Sequence, residues 1–271
     1  MDFQPVFEHI PKHFAKDGDI LMSHQLAMMS GSFPAGEEYY IESVRHFRDE
    51  ITDPVLKAQV AGFIGQEKMH SRQHDALNAH LASFGYRIDT IDRVSRKINA
   101  VRKRRENPLR DLAETAAAEH LTATMAEIVL RNPDLAVEAA MGVILWHALE
   151  ECEHKAVAFD VYRAIGGSER ERIRAGRLRR YTMWAVPFMA VASALLTDPA
   201  IRRPGALLAS WRRFQASPLT GKEVRARLKE FERPGFHPND RDTDALLEEW
   251  RERLFGAGGS LSEALVLGKS A

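Results

Sequence analysis

The feature that most constrains this chain is one spacing of charged and imidazole side chains that occurs twice. Glu37 is followed thirty positions later by Glu67, which stands three residues before His70. Glu119 is followed thirty-two positions later by Glu151, which stands three residues before His154. At about 100° per residue, a Glu and a His three apart share one face of a helix. Thirty residues let one helix finish, turn and come half-way back, so each half of the pattern returns its acids to about the same height. Two such halves describe four helices around one cluster, with a Glu from each of two helices and a Glu-x-x-His from each of the others. The flanking sequence is not visibly repeated.

The apolar periodicity supports this reading. Phe33, Tyr40, Val44 and Phe47 form a stripe at helical spacing, and Glu37 lies inside it. A helix is expected from about Glu37 to Glu50, fed by a turn at Ser32–Gly36, with Glu38, Glu42 and Arg45 on a solvated row. Pro54 opens a second helix that runs to Phe84 and carries Glu67, His70 and His74. A third spans about Leu109 to Leu130, where Leu112, Ala116, Ala123 and Ala126 make an apolar row interrupted only by Glu119. A fourth spans about Leu135 to Ile165 and ends at Gly166-Gly167. No alternation of useful length suggests a strand. The chain therefore reads as all-α, a four-helix core over residues 31–167, preceded by a leader helix within 1–30 and followed by a helical extension over 168–271.

A carboxylate on an apolar face is costly unless its charge is compensated. Acids that bridge two metal ions and imidazoles that occupy terminal positions meet that need. Oxygen donors with only two or three nitrogens and no thiolate suit iron first, with manganese or zinc as alternatives. The expected metal set is Glu37, Glu67, His70, Glu119, His147, Glu151 and His154. His147 lies one turn before Glu151 on the same face and is either a third nitrogen ligand or a packed core histidine. His74 is expected to support a ligand rather than to be one. For Glu37 the alternative is an acid in the first helical turn that favours the helix dipole. Glu114 and Glu127 fall on other rows, Glu150 and Glu153 point away from the face, and Cys152, Trp146 and Phe159 read as packed core.

Composition excludes several functions. Lys plus Arg equals Asp plus Glu at 38 each, so no net field points to nucleic acid. The basic stretch 87–110 lacks interleaved aromatics and reads as a solvated connecting helix and loop. A single Cys permits no internal disulfide and fits a reducing cytoplasm. No basic stretch followed by an apolar core opens the sequence, so no secretory signal is expected. From Tyr181 to Leu196 sixteen residues carry no charge, behind arginines that begin at Arg170. A membrane span needs roughly twenty apolar residues, and Pro187 sits mid-run. A buried helix, a homodimer face and an in-plane membrane contact through 170–196 are the readings this leaves. Residues 204–232 and 242–254 are further amphipathic helices, and the tail after Phe255 is Gly- and Ser-rich.

Across about residues 30 to 170, the runs FPAGEEYYIESVR, FIGQEKMHSRQH, EHLTATMAE and LWHALEECEHKAVAFDVY resemble a bacterial family known as predicted metal-dependent hydrolases, placed among ferritin-like helical proteins. The metal-site pattern alone is also similar to di-iron N-oxygenases that oxidise aryl amines, in which an additional His precedes the last Glu-x-x-His by one turn, as His147 does here. The expected function is an O2-dependent non-haem di-iron oxidoreductase acting on an apolar or aromatic small molecule. The alternatives are a hydrolase with a metal-activated water and a non-catalytic metal-binding bundle.

Overall fold

The computed structural model describes residues 2–262. Among them the secondary structure is helical, apart from one isolated bridge between Ala15 and Ala136. In chain order the helices are α1 (Gln4–Phe7), α2 (Ile20–His46), α3 (Pro54–Ser83), α4 (Ile88–Lys103), α5 (Pro108–Arg131), α6 (Glu138–Glu153), α7 (Val157–Ala164), α8 (Glu169–Thr182), α9 (Ala185–Thr197), α10 (Ala206–Ala216), α11 (Lys222–Glu230) and α12 (Asp244–Phe255).

The boundaries follow local chemistry. Asp53 caps α3 by accepting from the Val55 amide at 2.9 Å, and Pro54 occupies the first turn, where its missing N–H costs nothing. Asn107 and Pro108 repeat the device at α5. After α3, Gly85 adopts a φ of +87°, which lets the chain leave the helix end.

Two apolar clusters reveal the direction of each core helix. One cluster takes Leu21 and Met28 of α2, Leu77 and Leu81 of α3, Ile128 of α5 and Leu149 of α6. The other takes Val44 of α2, Val60 and Phe63 of α3, Leu112 and Ala116 of α5, and Val157 of α7. Glu37, Glu67, His70, Glu119, Glu151 and His154 all lie between these stretches on their own helices. The site is thus a polar layer between two apolar ones. Helix α2 runs from the first cluster to the second, α3 and α5 run the opposite way, and α6–α7 runs with α2. Parallel α3 and α5 require a long return, and α4 supplies it along the back of α2. Ile91 meets Gly31, Asn99 donates to the Ala35 carbonyl at 2.7 Å, and Lys103 pairs with Glu42 at 2.5 Å. A single long crossover is the connectivity of ferritin-like bundles.

Several expectations about elements need correction. Ser32–Gly36 is not a turn: α2 passes through Pro34 without interruption, and the residue 30 boundary of the supposed leader falls inside it. The helix expected from Leu135 to Ile165 begins at Glu138, and α6 gives way to α7 around His154–Ala156. No Gly or Pro marks that break. It turns the His154 ring toward Glu119 of α5. The apolar run 181–196 is divided, because α8 ends at Thr182 and α9 starts at Ala185. Ser217–Gly221 splits the helix expected over 204–232. The last part of the expected tail, 263–271, lies outside the described residues.

The basic stretch forms a connecting helix and loop, but it is only partly solvated. Arg96 pairs with Glu38 at 2.9 Å, and Arg102, Arg105 and Arg110 surround the buried Glu114. The C-terminal helices lie on the bundle through buried groups of their own. Arg172 is fully buried and donates to the carbonyls of Phe231 and Arg233. Trp250 Nε1 donates to the Leu130 carbonyl at 3.0 Å.

Candidate metal centre

The seven expected ligands are all buried in the polar layer. One donor atom from each of Glu67, His70, Glu151 and His154 lies within 4.8 Å of the other three, and the same holds for the trio Glu37, His70 and His147. Glu119 adjoins the first group through His154 Nδ1, 3.0 Å from its Oε2. His74 lies beside His147 and away from the acids.

A buried carboxylate or imidazole atom without a partner loses its hydration for nothing, at roughly 1–3 kcal/mol each. Several such atoms converge here: Glu37 Oε1, both oxygens of Glu67, His70 Nδ1, Glu119 Oε1, Glu151 Oε2 and His154 Nε2. Burial lifts the Glu37 carboxyl well above the usual range, and the neighbouring Glu67 charge adds to this. Glu67 is raised in the same sense by burial, then by Glu119 and Glu151. His154 goes the other way. Burial alone would lower it, but the hydrogen bond to Glu119 and the surrounding carboxylates lift it to about 10. A cavity that holds a proton on an imidazole so firmly is a cavity that favours a cation. The donor set fits metal ions on these grounds.

The hydrogen bonds also fix which nitrogen of each imidazole faces the cluster. His70 Nε2 lies 2.9 Å from Glu150 Oε2, so that nitrogen carries the proton and Nδ1 faces the acids. For His147 the direction comes from a longer chain. The Asn78 amide donates to the Ser30 carbonyl at 3.1 Å, which fixes Asn78 Oδ1 as the acceptor for Ser30 Oγ at 2.7 Å. The only hydroxyl proton of Ser30 is then used, so His74 Nδ1, 2.9 Å from Ser30 Oγ, must be the donor there. Burial lowers the His74 pKa well below its ordinary value, and the ring is neutral. Its Nε2 is therefore an acceptor, and His147 Nδ1 donates to it at 2.6 Å. The remaining nitrogen, His147 Nε2, is a bare lone pair 2.7 Å from Glu151 Oε1 and 3.9 Å from Glu37 Oε1. A proton shared between these two atoms would satisfy the contact, and so would a metal ion that both face, as the grouping of Glu37, His70 and His147 donor atoms within 4.8 Å of one another allows.

Three contacts were not legible in the sequence. Glu150, expected to point away, is held by Trp146 Nε1 at 2.8 Å and orients His70. Ser71 donates to Glu37 Oε2 at 2.7 Å. Ser30 connects Asn78 to His74. The expected bystanders stay outside. Glu153 pairs with Arg251 at 2.8 Å, Glu127 with Arg227 at 2.7 Å, and the Cys152 thiol is packed against the Ala123 carbonyl.

An apolar cavity of about 210 Å³ reaches this centre. Its lining includes His74, His147 and Glu151 of the polar layer, Phe33, Leu77 and Met125, and Met183, Trp184 and Pro187 around the α8–α9 break.

Residues 1–242 match the family described as predicted metal-dependent hydrolase. The chain belongs to that family. Searches of curated proteins and of solved structures found no match. Metal dependence in the family description agrees with buried Glu and His clusters that could hold two ions.

Proposed function

We propose that this protein is a di-metal hydrolase of lipophilic substrates, with Glu37, Glu67, His70, Glu119, His147, Glu151 and His154 as the ligand set. The observation that carries the reading is the convergence of unpaired buried donor atoms beside an apolar cavity that His147 and Glu151 help to line. Metal ions bound by these residues would supply an activated water and a Lewis acid for an ester, amide or phosphoester oxygen. The chain supplies the rest. Phe33 packs on both His74 and His147, with ring centroids 4.7 and 4.9 Å apart, and so forms a wall of the reaction chamber. The apolar lining excludes bulk water and orients a hydrocarbon portion with its polar end toward His147 and Glu151. Glu150 and the His74 chain keep two imidazoles in the tautomers that present a lone pair.

The donor set also favours a second reading. Four carboxylates with three imidazoles and no thiolate suit iron, and an extra His one turn before the last pair is the pattern of O2-dependent di-iron oxidation of apolar or aromatic substrates. Elemental analysis of protein purified without chelator, followed by ester, amide and phosphoester panels and an O2 electrode, separates the two. Zinc or manganese with turnover that is lost in Glu67→Ala supports hydrolysis. Iron with optical bands that respond to dithionite and air, and O2 uptake without hydrolysis, replaces it with oxidation. A Glu67→Ala or Glu151→Ala protein that keeps two ions refutes the ligand set.

A further inference from the structure

Trp184, which lines the cavity, also belongs to an unusual surface. Large apolar side chains exposed to solvent are concentrated on α8, α9 and α10. Phe188 is 75 % exposed, Leu196 77 % and Tyr181 70 %, and Trp184, Leu208 and Trp211 are exposed beside them. On α9, Trp184, Phe188 and Leu195 fall on one helical stripe, while Ala190, Ser193 and Ala194 face inward against α2. On α10, Leu207, Leu208 and Trp211 face outward and Ser210 and Phe214 inward.

Basic side chains outnumber acids around this face. Between Arg172 and Lys222 the only acid in the sequence is Asp198, and it is buried against His13, His24 and Lys12. The same stretch carries eight arginines, of which Arg174, Arg177, Arg180 and Arg213 pair with Glu171, Glu232 and Asp19. Arg202, Arg203 and Arg212 are exposed next to the apolar stripe. Arg225 lies over the Trp184 ring at 5.3 Å. Apolar and aromatic side chains beside exposed arginines that no acid among the described residues pairs with, here Arg202, Arg203 and Arg212, are what a helix lying in the headgroup layer of an anionic membrane presents. Among the described residues, no helix is long and apolar enough to cross a bilayer.

We propose that this face docks on anionic lipid bilayers and that the lipophilic substrate enters from the bilayer through the α8–α9 break. Met183, Trp184 and Pro187 at that break line the same cavity as His147 and Glu151. A substrate leaving the acyl layer would therefore pass from lipid into an apolar channel without crossing water. The route to the metal centre rests on the proposed function. The docking does not.

The test is co-sedimentation of the full metal-loaded chain with vesicles of phosphatidylcholine alone and with phosphatidylglycerol added. Binding is expected to the mixed vesicles only, weakened by salt, with a blue shift of tryptophan emission. The double variant Phe188→Glu/Leu196→Glu is expected to bind on the order of a hundredfold more weakly. Arg202→Glu/Arg203→Glu is expected to lose at least about fivefold per arginine. Both variants alter exposed positions, and unchanged helix content and metal count confirm that they are folded. Equal binding to neutral vesicles, no binding to either, or a double variant that binds like the parent overturns the proposal. So does a dimer in gel filtration that Phe188→Glu/Leu196→Glu converts to monomer, because a second copy would then cover the face. Hydrolysis of a short water-soluble ester is read separately, so its loss tests the chemistry and not the docking.

Discussion

Removing the ions should destabilise the fold by an amount that can be calculated in advance. A ligand at a thousand times its dissociation constant contributes about 4 kcal/mol, so two independent sites contribute about 8 kcal/mol. Unfolding entropy near 2.1 cal/mol/K per residue gives about 0.6 kcal/mol/K for 271 residues. The metal-free protein should therefore melt about 14 °C below the loaded one. Glu67 offers the sharper perturbation. Both its oxygens are unpaired and it stands among three other buried acids. Glu67→Gln keeps the shape, cannot ionise to bind metal, and offers an amide that can donate to Glu151. The metal-free variant should melt about 2–4 °C above the metal-free parent, for roughly 1 kcal/mol from that hydrogen bond. The same variant should gain little from added metal. Calorimetry of both proteins, chelated and loaded, measures all four values. A parent whose melting is indifferent to chelation, or a Glu67→Gln that shifts the loaded and chelated forms alike, refutes the reasoning.

Ser30→Ala should weaken metal binding about 10- to 100-fold in chelator competition, because His74 loses its acceptor and His147 is free to take the other tautomer. Burial holds His24 at about 4, so the unfolded chain binds a proton that the folded one refuses between pH 6.5 and 4. Stability should fall as pH drops through that window, by about 2 kcal/mol at pH 5 from this residue, and urea melts of His24→Gln should show a shallower loss. Arg172→Met should cost roughly 3–5 kcal/mol, because the carbonyls of Phe231 and Arg233 lose a buried charged donor. An urea midpoint near that of the parent would show that the C-terminal helices are held otherwise.

The parts legible in the sequence were those with a helical period. Glu37 and Glu119 stand out because each interrupts an apolar row, and the structure buries both beside the Glu-x-x-His pairs. The all-α class followed from the same rows. What escaped depends on contacts between helices, which periodicity does not encode. Glu150 is a helical step away from Glu151 on α6, yet the His70 ring reaches across from α3 to meet it. The break at His154 has no Gly or Pro to announce it. Pro34 and Gly36 together suggest a turn from sequence, and an interior proline forfeits the bond to the carbonyl four residues back. That carbonyl belongs to Ser30, and Asn78 satisfies it from the neighbouring helix.

That substitution of partners sets the polarity of everything downstream. With a helical N–H at position 34, the Ser30 carbonyl would be occupied and the Asn78 amide could turn either way. The proline leaves it one choice. Each successive donor then points outward, from His147 to His74 to Ser30 to Asn78, and the series ends on an amide oxygen that holds no proton to pass back. The chain is an insulator for protons. It holds the Nδ1 proton of His147 in place and leaves Nε2 as the nitrogen that faces Glu151. A residue with nothing to titrate, one turn ahead of the first acid, thereby sets which imidazole nitrogen the proposed centre would use.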